Sequence, residues 1–278
     1  MVQLTKFKNT TAAKIEELTE PGELRPYLGC SKLGHSCDRY LWYSFRWCYN
    51  REIPARLKRL FNRGHREEPA IEAELAKIGI QTFDDQAEVV LGFGHCKGHC
   101  DGKGLGIVEA PKTVHLMEYK TMSDKYFKEI SKTRSVKVSK PVYYAQMQIY
   151  MYKLKLTRAM FIAVNKNTDA MYFERVKLDK GYAQDLERKA ERIILSEDPP
   201  PKKFKPTWFE CRFCDANAIC HGNAHVERNC RTCDYLDLHP EGRWKCSYYD
   251  DLQLVTDQQR LGCQHYKLLK SIKHEYKR

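Results

Sequence analysis

The sequence predicts an α/β protein with a helical N-terminal segment and a Cys-rich, metal-binding C-terminus. Three observations carry this. Residues 61–200 read as helix, strands, helix, strand, helix, with short apolar runs separated by turn residues. The first 60 residues are basic and helical in pattern, with an aromatic run ending at Tyr49. Seven of the twelve cysteines crowd into the last 68 residues. The expected divisions are 1–60, 61–200, 201–225 and 226–278, with Pro199-Pro200-Pro201 marking the start of the Cys-rich part.

Taken in order, Met1–Glu20 is polar and lacks the apolar stretch of a signal peptide. No run reaches the roughly 18 apolar residues of a membrane span. Cys37 lies just before the aromatic run. Arg63-Gly64-His65-Arg66-Glu67-Glu68-Pro69 belongs to a helix on which His65 and Glu68, three apart, share a face. Gly98–Val108 and His115–Lys120 read as a hairpin that places Asp101 on one strand, opposite the next. Gln146 and Tyr150 fall in a Tyr- and Met-rich helix. Met160–Val164 and Met171–Phe173 read as a further strand pair around an Asn165–Asp169 turn. Tyr182–Leu195 is a charged helix, and Thr256 is placed to cap a final basic one.

Side chains two apart on a strand project to one face, so Glu118 and Lys120 point together towards Asp101. Two facing carboxylates repel unless a cation separates them. Mg²⁺ and Mn²⁺ favour such hard oxygen donors and leave positions for water and phosphate. A metal so held polarises a phosphodiester and supplies hydroxide near neutral pH, while Lys120 positions water or offsets phosphorane charge. The alternative is a buried salt bridge between Glu118 and Lys120. Glu187-Arg188-Lys189 has the same spacing on a charged helix and reads as a solvated face, whereas Glu118 sits among Leu116, Met117 and Tyr119.

With these motifs quoted, the chain resembles the PD-(D/E)XK nuclease superfamily, especially its lambda-exonuclease-like and RecB-like branches. The resemblance covers about residues 30–222. It implies a restriction-endonuclease-like core, a central mixed sheet flanked by helices. Asp101 matches the motif Asp, with Cys100 where the motif has Pro; Glu118 and Lys120 match (D/E)xK; Gln146 and Tyr150 match Gln-x-x-x-Tyr. The lambda-exonuclease pattern implicates Glu68 and the RecB-like pattern His65. The main-chain carbonyl of Tyr119 joins Asp101, Glu118 and one of these two as metal ligands. Gln146 supports the site. The activity implied is a DNase acting on DNA ends in recombination, repair or processing. A structure-selective endonuclease and a non-catalytic nucleic-acid-binding metalloprotein remain alternatives. A bacterial or phage-encoded cytoplasmic protein is the matching expectation.

The cysteines suit a reducing compartment, where clusters bind metal. Cys211-x2-Cys214-x5-Cys220 with Cys37 upstream resembles the iron-sulfur staple of CRISPR-associated adaptation nucleases and AddB-type nucleases. That match implies a 4Fe-4S cluster, with Zn²⁺ the alternative in the same thiolates; Cys30 and His221 are substitute ligands. Cys230-x2-Cys233-x12-Cys246-x16-Cys263 suits a structural zinc site, with His265 able to replace Cys263. Cys48, Cys96 and Cys100 read as packing residues. The formal charge of +12 suits a polyanionic partner, DNA. Lys125, Lys128, Lys132, Arg134 and Lys137 form a basic segment ahead of the Gln146 helix, which reads either as a track for a DNA strand or as an exposed flexible loop.

Overall fold

In a computed structural model, residues 9–18, 20–21, 25–50 and 52–275 are described. Residues 1–8, the start of the polar N-terminal stretch, lie outside them. The chain runs through α1 (Thr11–Glu17), β1 (Glu20–Pro21), β2 (Leu28–Gly29), α2 (Asp38–Phe45), β3 (Glu52–Ile53) and α3 (Ala55–Lys77). It continues with β4 (Gln81–Phe83), β5 (Glu88–Leu91), β6 (Cys96–His99), β7 (Gly102–Leu105) and β8 (His115–Met122). Then come α4 (Asp124–Thr133), α5 (Val136–Ser139), α6 (Pro141–Lys153), β9 (Arg158–Asn165), β10 (Met171–Lys177) and α7 (Lys180–Leu195).

Five strands form the main sheet in the order β10-β9-β8-β7-β4. It is mixed: β8 and β9 are parallel, and the other pairs are antiparallel. A parallel pair needs a crossover, and α4, α5 and α6 supply it. Seven of the eight β9 residues are buried, as befits a strand covered on both faces. One face carries Leu116, Phe161 and Ala163 against α6 and α7. The other carries Met117, Tyr119 and Ile162 against Ile71 and Leu75 of α3. The carboxylates of β8 and α3 therefore approach from opposite faces of the sheet.

Several elements differ from the sequence expectation. Among the described residues of the first 60, the α-helices besides the start of α3 are the short α1 and α2, with two-residue strands and a 3-10 turn at Cys30–Lys32 between. α3 also runs through residue 60, so the expected division there falls inside a helix. The basic stretch after Lys120 is helix, not loop: its alternating polar and apolar residues bury Phe127 and Ile130 and leave Lys125, Lys128 and Lys132 outside. Thr256 is the first residue of α10 (Thr256–Leu261), not its cap.

After α7 come two single-turn helices, α8 (Phe209–Arg212) and α9 (Asn217–Cys220). A three-stranded meander follows, of β11 (Leu236–His239), β12 (Arg243–Cys246) and β13 (Leu252–Gln253), with α10 behind it. Trp244 and Leu236 of this unit belong to the same buried cluster as Phe45 and Leu91, so it packs into the main core. Arg231 is 0% exposed and lies 3.8 Å from the Trp47 ring centroid and 4.8 Å from that of Trp244. Its guanidinium donates to Pro26 O, Phe45 O and Gln259 Oε1, which satisfies the buried charge. Among the described residues, no helix is long and apolar enough to cross a membrane.

Candidate active site

The register of the β7–β8 pair builds the site. Gly102 lies opposite Met117, so Asp101, one residue before β7, falls opposite Glu118. Asp101 thus sits in the connection between β6 and β7 rather than on a strand. Its carboxylate accepts the Tyr119 N–H at 2.8 Å, which pins it against β8. Glu118 and Lys120 lie on the face of β8 that meets α6. There the Gln146 amide donates to Glu118 Oε2 at 3.2 Å.

Glu118 is 0% exposed, and its Oε1 has no hydrogen-bond partner. The Lys120 ammonium nevertheless stands 2.5 Å from that oxygen, poorly aligned but close enough for charge to dominate. It also donates to Asp101 Oδ2 at 3.3 Å and to the Tyr119 carbonyl at 2.8 Å. Burial pushes the Glu118 carboxyl up to about 8, an effect that Lys120 opposes and the Asp101 charge reinforces. Burial disfavours the Lys120 ammonium, but Glu118 and Asp101 outweigh it and hold its pKa above the ordinary value. In this arrangement Lys120 is the cation between two carboxylates.

α3 closes the site from the other face. His65 Nδ1 lies 3.4 Å from Glu68 Oε1; the His65 side chain is 77% exposed and that of Glu68 28%. Burial and the nearby Asp101 charge raise the Glu68 pKa, against the pull of His65 and Lys120. Glu68 is therefore the inner of the two. Pro69 has no N–H to offer the His65 carbonyl four residues back, which loosens the helix beside the site.

His65, Glu68, Asp101, Tyr119, Lys120 and Gln146, but not Glu118, line a cleft of about 1780 Å³ that also holds Arg25, Lys97, His99 and Lys166. Tyr150 crosses beneath it. A Cβ at Gly98 would come within 2.3 Å of the Tyr150 hydroxyl, so glycine there is what lets α6 approach β6. None of the five basic residues of the α4–α5 region lines the cleft; Lys128, for one, pairs with Asp124 at 2.7 Å.

Sequence reasoning passed over Glu72. Its carboxyl is raised by burial and by the charges of Asp85, Glu68 and Asp101. It lies one helical turn after Glu68, and that spacing was the available signal.

Cys37, Cys211, Cys214 and Cys220 line one pocket of about 340 Å³, with His221 at its wall. Cys230, Cys233, Cys246 and Cys263 line another of about 300 Å³, with His265. Burial pushes the Cys214 and Cys230 thiols up to about 11, with neighbouring cysteines adding to the effect. Among the described residues, no three His, Cys, Asp or Glu side chains stand close enough together to hold a metal ion as placed. Cys30 does not join the first pocket; its Sγ lies 3.7 Å from Cys96 Sγ in the core. Cys48, Cys96 and Cys100 are buried.

No protein-family model matches the chain, and no curated protein does. Among solved structures, an alkaline exonuclease, LHK-Exo, in complex with dAMP is similar over 62% of this chain and 87% of its own. The identity is 16% and the TM-score 0.46. LHK-Exo from Laribacter hongkongensis in a second structure is similar over 61% and 86%, at 17% identity and a TM-score of 0.44.

Proposed function

We propose that the chain is a Mg²⁺- or Mn²⁺-dependent deoxyribonuclease that acts as an exonuclease on DNA ends. The observation that carries this is the fully buried Glu118 beside Asp101, with the Lys120 ammonium held between the two carboxylates. A salt bridge serving only the fold would be walled off on every side; here Asp101 and Lys120 face a cleft that Arg25, Lys97 and Lys166 also line.

Asp101, Glu118, the Tyr119 carbonyl and Glu68, with His65 outside it, would supply hard oxygen donors to a divalent ion if it drew them together. Such an ion, when bound, would polarise the phosphodiester and lower the pKa of water. Displaced from between the carboxylates, Lys120 would be free to hold the attacking water or balance charge on the phosphate. Gln146 keeps Glu118 oriented through its amide, and the Tyr119 N–H keeps Asp101 in place. The preference for ends over internal sites rests on the resemblance of the motifs to the lambda-exonuclease-like and RecB-like branches.

In the same reading, Cys37, Cys211, Cys214 and Cys220 hold a structural 4Fe-4S cluster, and Cys230, Cys233, Cys246 and Cys263 a structural zinc. The support is that each set of four lines a single pocket. A bound metal would displace the thiol protons and draw the four ligands of each set together. Anaerobically purified protein should absorb in the visible violet; a colourless protein with full zinc in both sites would overturn the cluster.

The site is tested by Asp101→Ala. Its cleavage of linear duplex with Mn²⁺ should fall by about 10²-fold or more while DNA binding persists. Undiminished cleavage would sink the assignment.

A further inference from the structure

Outside the cleft, the most unusual surface lies between α7 and the first cysteine pair of the C-terminal region. Trp208, Phe209 and Phe213 are 52%, 71% and 76% exposed. Large aromatics this open carry an apolar cost in water, and several together mark a binding surface. They are ordered with respect to one another. Phe204 and Trp208 are stacked, with ring centroids 5.6 Å apart and planes 9° from parallel. Phe209 and Phe213 meet edge to face at 5.3 Å. The strap that carries them is tied down: Arg39 donates to Pro200 O at 2.7 Å, and Asn217 to Cys211 O at 2.7 Å.

Charge identifies the occupant. Lys203, Lys205 and Arg212 alternate with the aromatics and are exposed. The Lys203 ammonium lies 5.2 Å from the Phe204 centroid. The acid of the strap, Glu210, is engaged by the Ser36 hydroxyl at 2.6 Å. Protein–protein contacts deplete lysine from their apolar centres. Aromatic rings interleaved with cations are instead what stacks unpaired bases while neutralising the phosphates between them. A duplex offers no free base faces to such rings. None of these aromatics lines the catalytic cleft, so cleavage chemistry does not account for them.

We infer that the Phe204–Phe213 strap is a binding platform for single-stranded nucleic acid. Its bases stack on Trp208, Phe209 and Phe213, and its phosphates lie against Lys203, Lys205 and Arg212. The inference goes beyond the nuclease reading, since it requires no bond to be broken.

The protein supplies its own probe. Of its four tryptophans, Trp42, Trp47 and Trp244 are at most 1% exposed, so Trp208 alone faces solvent. The full-length protein is titrated with oligo(dT) in buffer free of Mg²⁺ and Mn²⁺ and without chelator, which withholds the cleaving ion and leaves structural metals in place. Intrinsic fluorescence should be quenched, and an unlabelled blunt duplex annealed from two separate strands should not compete. Three neutralised phosphates give a slope of log K against log[salt] of about −2. Phe213→Ala should weaken binding about tenfold. Trp208→Phe should keep the affinity, read by anisotropy of labelled oligo(dT), and lose the fluorescence response. Circular dichroism checks that both variants are folded. Unchanged fluorescence in the parent, full affinity in folded Phe213→Ala, or equal competition by the duplex would overturn the platform. These outcomes are independent of cleavage, which Asp101→Ala tests separately.

Discussion

At the residue scale, the site balances three charges in a space that would not tolerate two. Glu118 is fully buried, and the Lys120 ammonium offsets both it and Asp101. Lys120→Met leaves two facing carboxylates with no cation between them. Its metal-free form should lose about 3 kcal/mol of stability in urea, and its cleavage should fall by about 10²-fold or more. Gly98 poses a steric question instead. Gly98→Ala forces a methyl group against the Tyr150 hydroxyl and should cost about 1–3 kcal/mol in the same assay. Tyr150→Phe in that background removes the obstructing oxygen and should recover part of the loss. No recovery would mean that the Cys30 Cβ, the next nearest obstacle at 2.9 Å, sets the limit. Glu118 and Lys120 were legible in the sequence because strand alternation is a local rule. The Gly98–Tyr150 contact was not, because it joins residues some 50 positions apart in the chain through a packing detail that no local pattern encodes.

At the element scale, α6 divides its labour between two glutamines of the same chemistry. Gln146 supports Glu118, whereas Gln148 is turned away, donates to Lys177 O at 2.9 Å and accepts the Asp179 N–H at 2.7 Å. Two residues on a helix differ by about 200° in direction, so only one of the pair can reach β8. Gln148→Ala should therefore destabilise by about 1–3 kcal/mol through two stranded backbone groups, leaving the rate of the folded fraction near the parent's. Gln146→Ala should lower the rate with little loss of stability. The hairpin, the β9–β10 pair and α7 could all be read from periodicity and turn residues. The helices of the α4–α5 region were missed because a high lysine content masks an apolar stripe as narrow as Phe127 and Ile130. The exact start of β7, one residue after Asp101, depended on pairing with β8 and not on local preference.

At the scale of the whole molecule, the C-terminal unit is fastened to the core by buried cations and one neutral histidine. His95 lies between Phe45 and Trp244 and donates its Nε2 proton to His239 O at 2.7 Å. Burial depresses its pKa to about 4, below the usual 6.5, despite the opposing effect of the His239 carbonyl. A depressed folded-state value contributes stability that is present above pH 6.5 and is lost as pH falls through 4. Thermal melts should show that loss across this window, and His95→Gln should flatten it. Arg231→Ala removes the guanidinium from between Trp47 and Trp244 and strands two carbonyls; limited proteolysis should then release residues beyond about 226 far faster than in the parent. The sequence announced the cysteines of this unit but not its anchor, because a buried arginine looks like a surface one until its partners, drawn from residues 26 to 259, are assembled. The central claim concerns the cleft, and digestion of end-labelled linear duplex, linear single strand and covalently closed circular DNA with Mg²⁺ or Mn²⁺ tests it most directly, with Glu118→Ala alongside. The wild type should shorten only DNA with ends, and the variant should leave all three intact. Cutting of closed circles would contradict the exonuclease, and failure of the metal-loaded wild type to cut any of the three would contradict the nuclease.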